Sequence, residues 1–175
     1  MKAKSYPNTY KGLLILGLSF KYDVFHDRKL VEGDILGATG PELSDAMCRA
    51  LREALIKRFR VDPGIDNVRE AAERLCEANR FDPICDYLDG LQWDRQKRLE
   101  RLFPTYFGAD DTELNRALGK IMLTAAVRRA RKPGCKFDLI PMLEGPEGVS
   151  KSSAIELLAG KENFSAGDCS EKRIH

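Results

Sequence analysis

The sequence predicts a mostly helical α+β fold, and three features of the 175-residue chain lead to this prediction. Apolar residues between positions 40 and 131 recur every three or four positions, which is the period of amphipathic helices. One stretch near the N-terminus alternates instead, as a β-hairpin does. Near the C-terminus, an apolar run, a glycine-containing loop and another helical pattern predict a strand–loop–helix unit.

The N-terminal region is predicted to combine a short helix with a hairpin. The helix covers "YKGLLIL", with Asn8 or Thr9 as its cap and Gly17 as its stop. In the stretch "SFKYDVF", apolar and polar residues alternate, which indicates a half-buried strand. The stretch "RKLVEGD" is predicted to pair with that strand across the turn at residues 26–27.

Four helices are predicted in the middle of the chain. The clearest is "TGPELSDAMCRALREALIKRFR", in which Thr39 and Glu42 have capping-box spacing. The second starts near Asp66, the third starts at Asp82-Pro83, and the fourth runs from about Asp111 to Arg131. The positions predicted to face inwards are Leu43, Met47, Ala50, Leu51, Ala54, Leu55, Phe59, Val68, Ala71, Ala72, Leu75, Cys76, Ile84, Tyr87, Leu88, Leu91, Leu114, Leu118, Ile121, Met122 and Ala125.

Composition excludes several classes of protein. The net charge of +2 and the pI near 8.2 are too weakly basic to indicate nucleic-acid binding by themselves. The longest apolar run, "LLILGL", is far short of the roughly 20 residues that span a bilayer, and no signal-peptide pattern follows Lys2, so we expect a cytoplasmic protein without a membrane partner. Five cysteines without C-x-x-C spacing and only two histidines favour reduced thiols over a zinc site.

The strand–loop–helix unit carries a motif close to a phosphate-binding P-loop. The strand is "KFDLIPML" and the helix is "SKSSAIELLAG", in which Ile155, Leu157 and Leu158 are predicted to face inwards and Gly160 ends the helix. The pattern G-x-x-x-x-G-K-[ST] is met at Gly145, Lys151 and Ser152, but Ser150 replaces its second glycine.

The chemistry of this loop comes from backbone N–H groups and a lysine. Glycines let the chain curl around phosphate oxygens, the lysine adds a point charge, and the Ser/Thr hydroxyl ligates Mg²⁺. The Cβ of Ser150 can crowd the phosphate, and Pro141 removes an N–H group from the strand. The predicted nucleotide-binding residues are Gly145, Glu147, Gly148, Val149, Ser150, Lys151, Ser152 and Ser153, with Ser152 as the Mg²⁺ ligand. The alternative is a plain surface turn, "EGPEG".

Two other features also allow two interpretations. Between residues 119 and 137 the chain has six lysines and arginines and no acid, which is typical either of a DNA contact or of a helix C-terminus that carries favourable cations. The candidate DNA contacts are Arg128, Arg129, Arg131 and Lys132. Trp93 is interpreted as a core anchor beside Leu91 and Leu99, and a base-stacking role is the alternative.

The chain resembles the virulence-associated protein E family. The resemblance runs from Arg80 to Gly160, from "RFDPICDYLDGLQWDRQKRLERLF" through "PGCKFD" and the loop "EGPEGVSKS" to "AIELLAG", with further similarity in "YDVFHDRKL" and "GPELSD". The family motif L-x-x-L-x-W-D-x-x-x-R-L maps to Leu88, Leu91, Trp93, Asp94, Arg98 and Leu99. Members usually have glycine where this chain has Arg95 and Ser150, and an ordinary strand residue at Pro141.

The resemblance implies a helicase-like P-loop ATPase of a phage or other mobile element. It implies ATP and Mg²⁺ as ligands, DNA as a partner, and a homo-oligomer if the ATPase module is complete. Family members continue with a second acidic strand and later arginines, and we find neither after Gly160. We therefore expect a truncated module that has no catalytic residues of its own and hydrolyses little ATP alone.

The expected organisation has four parts. Residues 1–62 form an N-terminal α/β region, and residues 63–132 form a helical region in which the family-like domain begins at about residue 80. Residues 133–165 form the P-loop βα unit, and residues 166–175 form an unrelated tail. A residual DNA- or protein-binding module that acts through the basic segment 120–136 is the non-enzymatic alternative.

Overall fold

A computed structural model describes residues 4–33 and 40–165 of the chain. The chain divides into two compact units, Met1–Leu91 and Gln92–His175. The described residues contain seven α-helices and one three-stranded mixed sheet, so the prediction of a mostly helical α+β fold is confirmed.

The first unit holds the sheet and four helices. Its elements are α1 (Tyr6–Ile15), β1 (Ser19–Asp23), β2 (Arg28–Glu32), α2 (Asp45–Phe59), α3 (Ile65–Ala78), β3 (Arg80–Phe81) and α4 (Pro83–Gly90). The strand order is β2-β1-β3. Strands β1 and β2 pair antiparallel across the turn, as the alternation predicts, whereas the parallel pairing of β3 with β1 was not predicted.

Helix α3 lies at the centre of the first unit, in contact with α1, α2, β1 and β2. Its face of Val68, Ala71, Ala72, Leu75 and Cys76 is almost fully buried, as predicted. The predicted stripe on α2 is also confirmed, since Met47 and Leu51 have no exposed surface. Outside this core, Phe59, Tyr87 and Leu91 are exposed, contrary to the prediction. Phe59 is the last residue of α2, and α4, which carries Tyr87 and ends before Leu91, has no buried residue.

The starts of α1 and α2 differ from the prediction. Helix α1 begins at Tyr6 after Ser5, because Pro7 suits the first turn, so neither Asn8 nor Thr9 is the cap. Helix α2 begins at Asp45, where the Ser44 hydroxyl accepts a hydrogen bond from the Met47 amide at 3.2 Å. The predicted capping box is wrong, because residues 41–43 instead form backbone hydrogen bonds with β2. Thr39 lies outside the described residues.

The second unit is helical. A 3₁₀ turn (Leu99–Arg101) leads into α5 (Leu102–Tyr106), and α6 (Glu113–Arg131) packs against both. The 3₁₀ turn and α5 were not predicted. Gly119 and Ala125 are the buried residues of α6, whereas Leu114 and Ile121 are exposed and were wrongly placed inwards. The reason is that α6 crosses its neighbours at Gly119, which shifts the buried face away from the most apolar side.

The end of the second unit contains the predicted helix but not the predicted strand. Residues 135–144 have no strand pairing, and Ile140 and Met142 are more than 80% exposed. The physical reason is that a strand needs a partner, and no described strand of this unit lies beside it. Helix α7 (Lys151–Ala159) follows. Leu157 and Leu158 are 87% and 49% exposed rather than inward, since the described part of this unit has no sheet for α7 to cover.

Candidate functional site

The candidate phosphate loop, residues 145–150, curls immediately before α7. Gly148 has a φ of 82°, and Ser150, the residue before the helix, has a φ of 56°. Both values lie in the left-handed region that glycine adopts without strain. The P-loop pattern has glycine at position 150, so this chain has the curled backbone without the residue that suits it.

Lys151 holds the loop together from its concave side. Its half-buried side chain donates hydrogen bonds from Nζ to the carbonyl oxygen of Gly145 at 2.8 Å and to that of Pro146 at 2.7 Å. An ammonium group has three donors, so a third N–H remains for an anionic oxygen. The loop therefore places one positive charge inside its own curve, as phosphate binding requires.

The start of α7 adds partial positive charge to the same place. The first backbone hydrogen bond of the helix runs from the Ala154 amide to the Ser150 carbonyl at 3.0 Å. No side chain caps this end, and its first turn carries no acidic residue. The N–H groups of the first turn are therefore donors without a helical partner, and the helix dipole favours an anion there. The hydroxyls of Ser152 and Ser153 are exposed at this end.

The loop forms part of the wall of a cleft of about 610 Å³ in the second unit. Gly145, Val149, Ser150 and Lys151 line this cleft, and so do residues of α5 and the start of α6. Of the other predicted loop residues, Glu147, Gly148, Ser152 and Ser153 are not in the lining. A volume of this size is in the usual range for sites that bind small molecules and cofactors.

The cleft also brings together residues that the sequence analysis missed. Phe103, Tyr106 and Phe107 come from α5 and its end, and Asp110 and Asn115 come from the start of α6. The sequence signal that could have found them is "PTYFGAD", two adjacent aromatics followed by glycine and an acid shortly before a helix. The helix α5 itself could not be recognised from the sequence, because five residues are too few to show a helical period.

The W-D-x-x-x-R segment, residues 93–98, forms a clamped turn that precedes α5. Arg98 donates two hydrogen bonds to the Asp94 carboxylate, at 2.8 and 2.6 Å, and this ion pair lowers the pKa of Asp94 to about 2. Arg95, inside the turn, has a φ of 67°, in the left-handed region that glycine adopts without strain. Trp93 is 73% exposed, so its interpretation as a core anchor is wrong. Its indole N–H reaches the Gln96 carbonyl at 3.3 Å, within the turn.

The basic end of α6 is a separate surface. Arg128, Arg129, Arg131 and Lys132 are all exposed, and none of them lines the cleft. The three arginines of the last turn of α6, together with its cap residue Lys132, place their charges at the negative end of the helix dipole. The cluster thus fits both interpretations that the sequence left open.

Metal-ligand clusters and membrane-spanning helices are both absent from the described ranges, 4–33 and 40–165. No group of three or more histidine, cysteine or acidic residues there is arranged to hold a metal ion. None of the helices in those ranges has the length and apolar character needed to cross a bilayer.

Comparison with known proteins identifies the second half of the chain. No curated protein matches the sequence. A family model does match: the virulence-associated protein E-like domain, over residues 88–173. This range includes the clamped turn, α5, α6, the candidate phosphate loop and α7, and it extends past residue 166, where the resemblance was expected to end. Residues 88–173 of the chain therefore belong to the virulence-associated protein E-like family.

Proposed function

We propose that the second unit binds the phosphate groups of a nucleotide at the candidate phosphate loop. The observation that carries the proposal is the position of the Lys151 ammonium group, which lies inside the curve of the loop at the uncapped start of α7. Lysine charge, open amides and an anion-favouring dipole act on the same small region. A plain surface turn does not need a lysine folded into it.

The residues around the loop suit Mg²⁺ together with the phosphates. Mg²⁺ takes oxygen ligands and usually binds through one or two protein groups plus substrate phosphates and water. Ser152 offers an exposed hydroxyl one residue after Lys151, and Asp110 and Glu144 add carboxylates to the lining of the cleft. Ser152 would hold the ion, which would neutralise charge on the outer phosphates when it is bound.

The test is binding of ATP to the purified chain in the presence of Mg²⁺, measured by titration calorimetry. We expect weak binding that falls at least tenfold in Lys151→Ala and is reduced when Mg²⁺ is chelated. Lys161→Ala is the matched control, because it removes an exposed lysine from the other end of α7 and should leave affinity unchanged. Equal affinity in the Lys151 variant and the wild type would refute the proposal.

We also propose the wider role that the family resemblance implies. The unit would belong to a helicase-like ATPase of a phage or other mobile element, working in the cytoplasm on DNA during replication, with homo-oligomerisation as the way in which such modules assemble. Light scattering with and without ATP and Mg²⁺ tests the assembly. A monomer under both conditions would contradict it.

A non-enzymatic function is the second candidate, and one observation favours it. The four cations at the end of α6 are exposed, and the described residues provide no ion pair for Arg128, Arg129 or Lys132. Clustered exposed cations are typical of a surface that contacts DNA phosphates.

Fluorescence anisotropy with a DNA duplex across a salt series tests this candidate. Changing Arg128, Arg129, Arg131 and Lys132 together to Gln should weaken binding and reduce the salt slope by about 0.9 for each phosphate group that is no longer neutralised. Lys151→Ala should have no effect on this binding. Unchanged binding in the Gln variant would leave the helix-dipole interpretation.

A further inference from the structure

The cleft beside the phosphate loop has an aromatic wall. Phe103 is 4% exposed and Phe107 is half-buried, and their ring centroids lie 5.3 Å apart with the planes tilted by 57°. Tyr106, between them in sequence, is 60% exposed and also lines the cleft. Two rings therefore form a packed support, and a third presents its surface to the cavity.

Tyr106 lies beside the clamped turn. The guanidinium group of Arg98, which the Asp94 carboxylate fixes through two hydrogen bonds, also interacts with the Tyr106 side chain. An exposed aromatic ring in a cleft is a usual platform for a nucleobase.

A polar group lies in the same lining. The side-chain amide of Asn115 donates from Nδ2 to the Asp110 carbonyl at 2.8 Å, which fixes the orientation of the amide. Its Oδ1 atom then remains as an acceptor, and no donor to it occurs among the residues that the structure describes. An acceptor at this position suits an exocyclic amine, such as that of adenine.

We propose that the cleft binds a whole nucleoside triphosphate, with an amino-bearing base stacked on Tyr106 and its amine directed to Asn115 Oδ1. This inference rests on the proposed phosphate binding at Lys151. The volume of about 610 Å³ accommodates base, sugar and phosphates together, and both the aromatic wall and the phosphate loop belong to its lining. Tyr106 and Asn115 are then the residues that distinguish a nucleotide from a bare polyphosphate.

The experiment compares three ligands on the full chain in the presence of Mg²⁺: ATP, inosine triphosphate and inorganic tripolyphosphate. Stacking predicts that ATP binds about 5- to 150-fold more tightly than tripolyphosphate. Loss of the exocyclic amine predicts an intermediate affinity for inosine triphosphate. Tyr106→Ala should reduce ATP affinity towards that of tripolyphosphate and leave tripolyphosphate affinity unchanged, whereas Tyr106→Phe, which keeps the ring, should retain the preference.

The outcomes separate this inference from the proposed function. Equal wild-type affinity for ATP and tripolyphosphate, with both lost in Lys151→Ala, would overturn the base subsite and leave phosphate binding in place. Absence of binding for both ligands would overturn both proposals. Tyr87→Ala removes a similarly exposed tyrosine from the first unit and is the control. The wild-type comparison needs no variant, so it decides the matter even if Tyr106→Ala fails to fold.

Discussion

Gly119 lies where α6 packs closely against the 3₁₀ turn and α5, and its replacement by alanine tests this packing directly. A Cβ at this position would lie 2.8 Å from the Leu99 carbonyl oxygen and 3.1 Å from the Leu102 Cβ. Both distances are shorter than ordinary van der Waals contacts. The obstructing atom at 2.8 Å belongs to the backbone, so no side-chain rotation can relieve the contact.

Two opposing effects decide whether this substitution raises or lowers the free energy of unfolding. Alanine is favoured over glycine inside a helix by about 1 kcal/mol, which by itself would stabilise α6. Overpacking a closely packed contact costs about 1–3 kcal/mol, and an immobile carbonyl puts this contact in the upper half of that range. We therefore expect Gly119→Ala to lower the free energy of unfolding of the second unit by about 1–2 kcal/mol, although the same change in an open helix would raise it.

Urea denaturation followed by tryptophan fluorescence measures this effect, because the chain has one tryptophan, Trp93, and it belongs to the second unit. Gly90→Ala is the matched control: this glycine also lies in a helix, but a Cβ there would meet nothing within 4 Å. The control should show no loss of stability by circular dichroism. An unchanged or raised midpoint for Gly119→Ala would refute the packing of α6 described above.

Three further predictions concern the core, the loop and a buried thiol. Leu51→Ala should destabilise the first unit by about 2–5 kcal/mol in urea denaturation, because Leu51 is fully buried, whereas Glu53→Ala on the exposed face should change little. Ser150→Gly should raise the thermal midpoint slightly, because a serine in the left-handed region costs about 1–2 kcal/mol of stability, and the greater entropy of glycine in the unfolded chain offsets only part of this gain. A lower midpoint would contradict the left-handed backbone assigned to residue 150. Burial raises the pKa of the Cys76 thiol to about 11, so above pH ~9 the thiol keeps its proton in the folded protein but loses it in the unfolded chain. Stability should therefore fall as the pH rises from about 9 to 11, and Cys76→Ala, but not Cys135→Ala, should flatten this fall.

Local signals predicted most of the helices correctly. Two of these signals depend only on neighbours in sequence: the apolar stripe around Leu51 and the Asp82-Pro83 start of α4. The structure has both, and the Asp82 carboxylate accepts hydrogen bonds from the amides of Ile84 and Cys85. The strand β3 could not be found in this way. It has two residues and exists only because α3 returns the chain to the open edge of β1.

The wrong predictions at the site concern which residues are buried, because burial depends on tertiary contacts that the sequence does not show. The apolar run at 137–144 is typical of a strand, but pairing partners decide whether a strand forms, and residues such as Ile140 remain exposed. The size of Trp93 favours a core position, yet the Asp94–Arg98 clamp leaves the indole outside. The loop itself was predictable because glycine, serine and lysine at fixed spacing act locally. Its aromatic wall was not, since α5 meets the loop only in three dimensions.

The two carbonyl contacts of Lys151 have a kinetic consequence. The oxygens of Gly145 and Pro146 compete with any incoming phosphate for the same ammonium group, so the loop contains its own internal competitor. A ligand that captures the lysine fully must exchange these hydrogen bonds for its own, and that exchange can proceed only after first contact. In stopped-flow experiments, the observed rate of phosphate binding should therefore level off at high ligand concentration. The plateau would report how fast the lysine leaves the loop carbonyls.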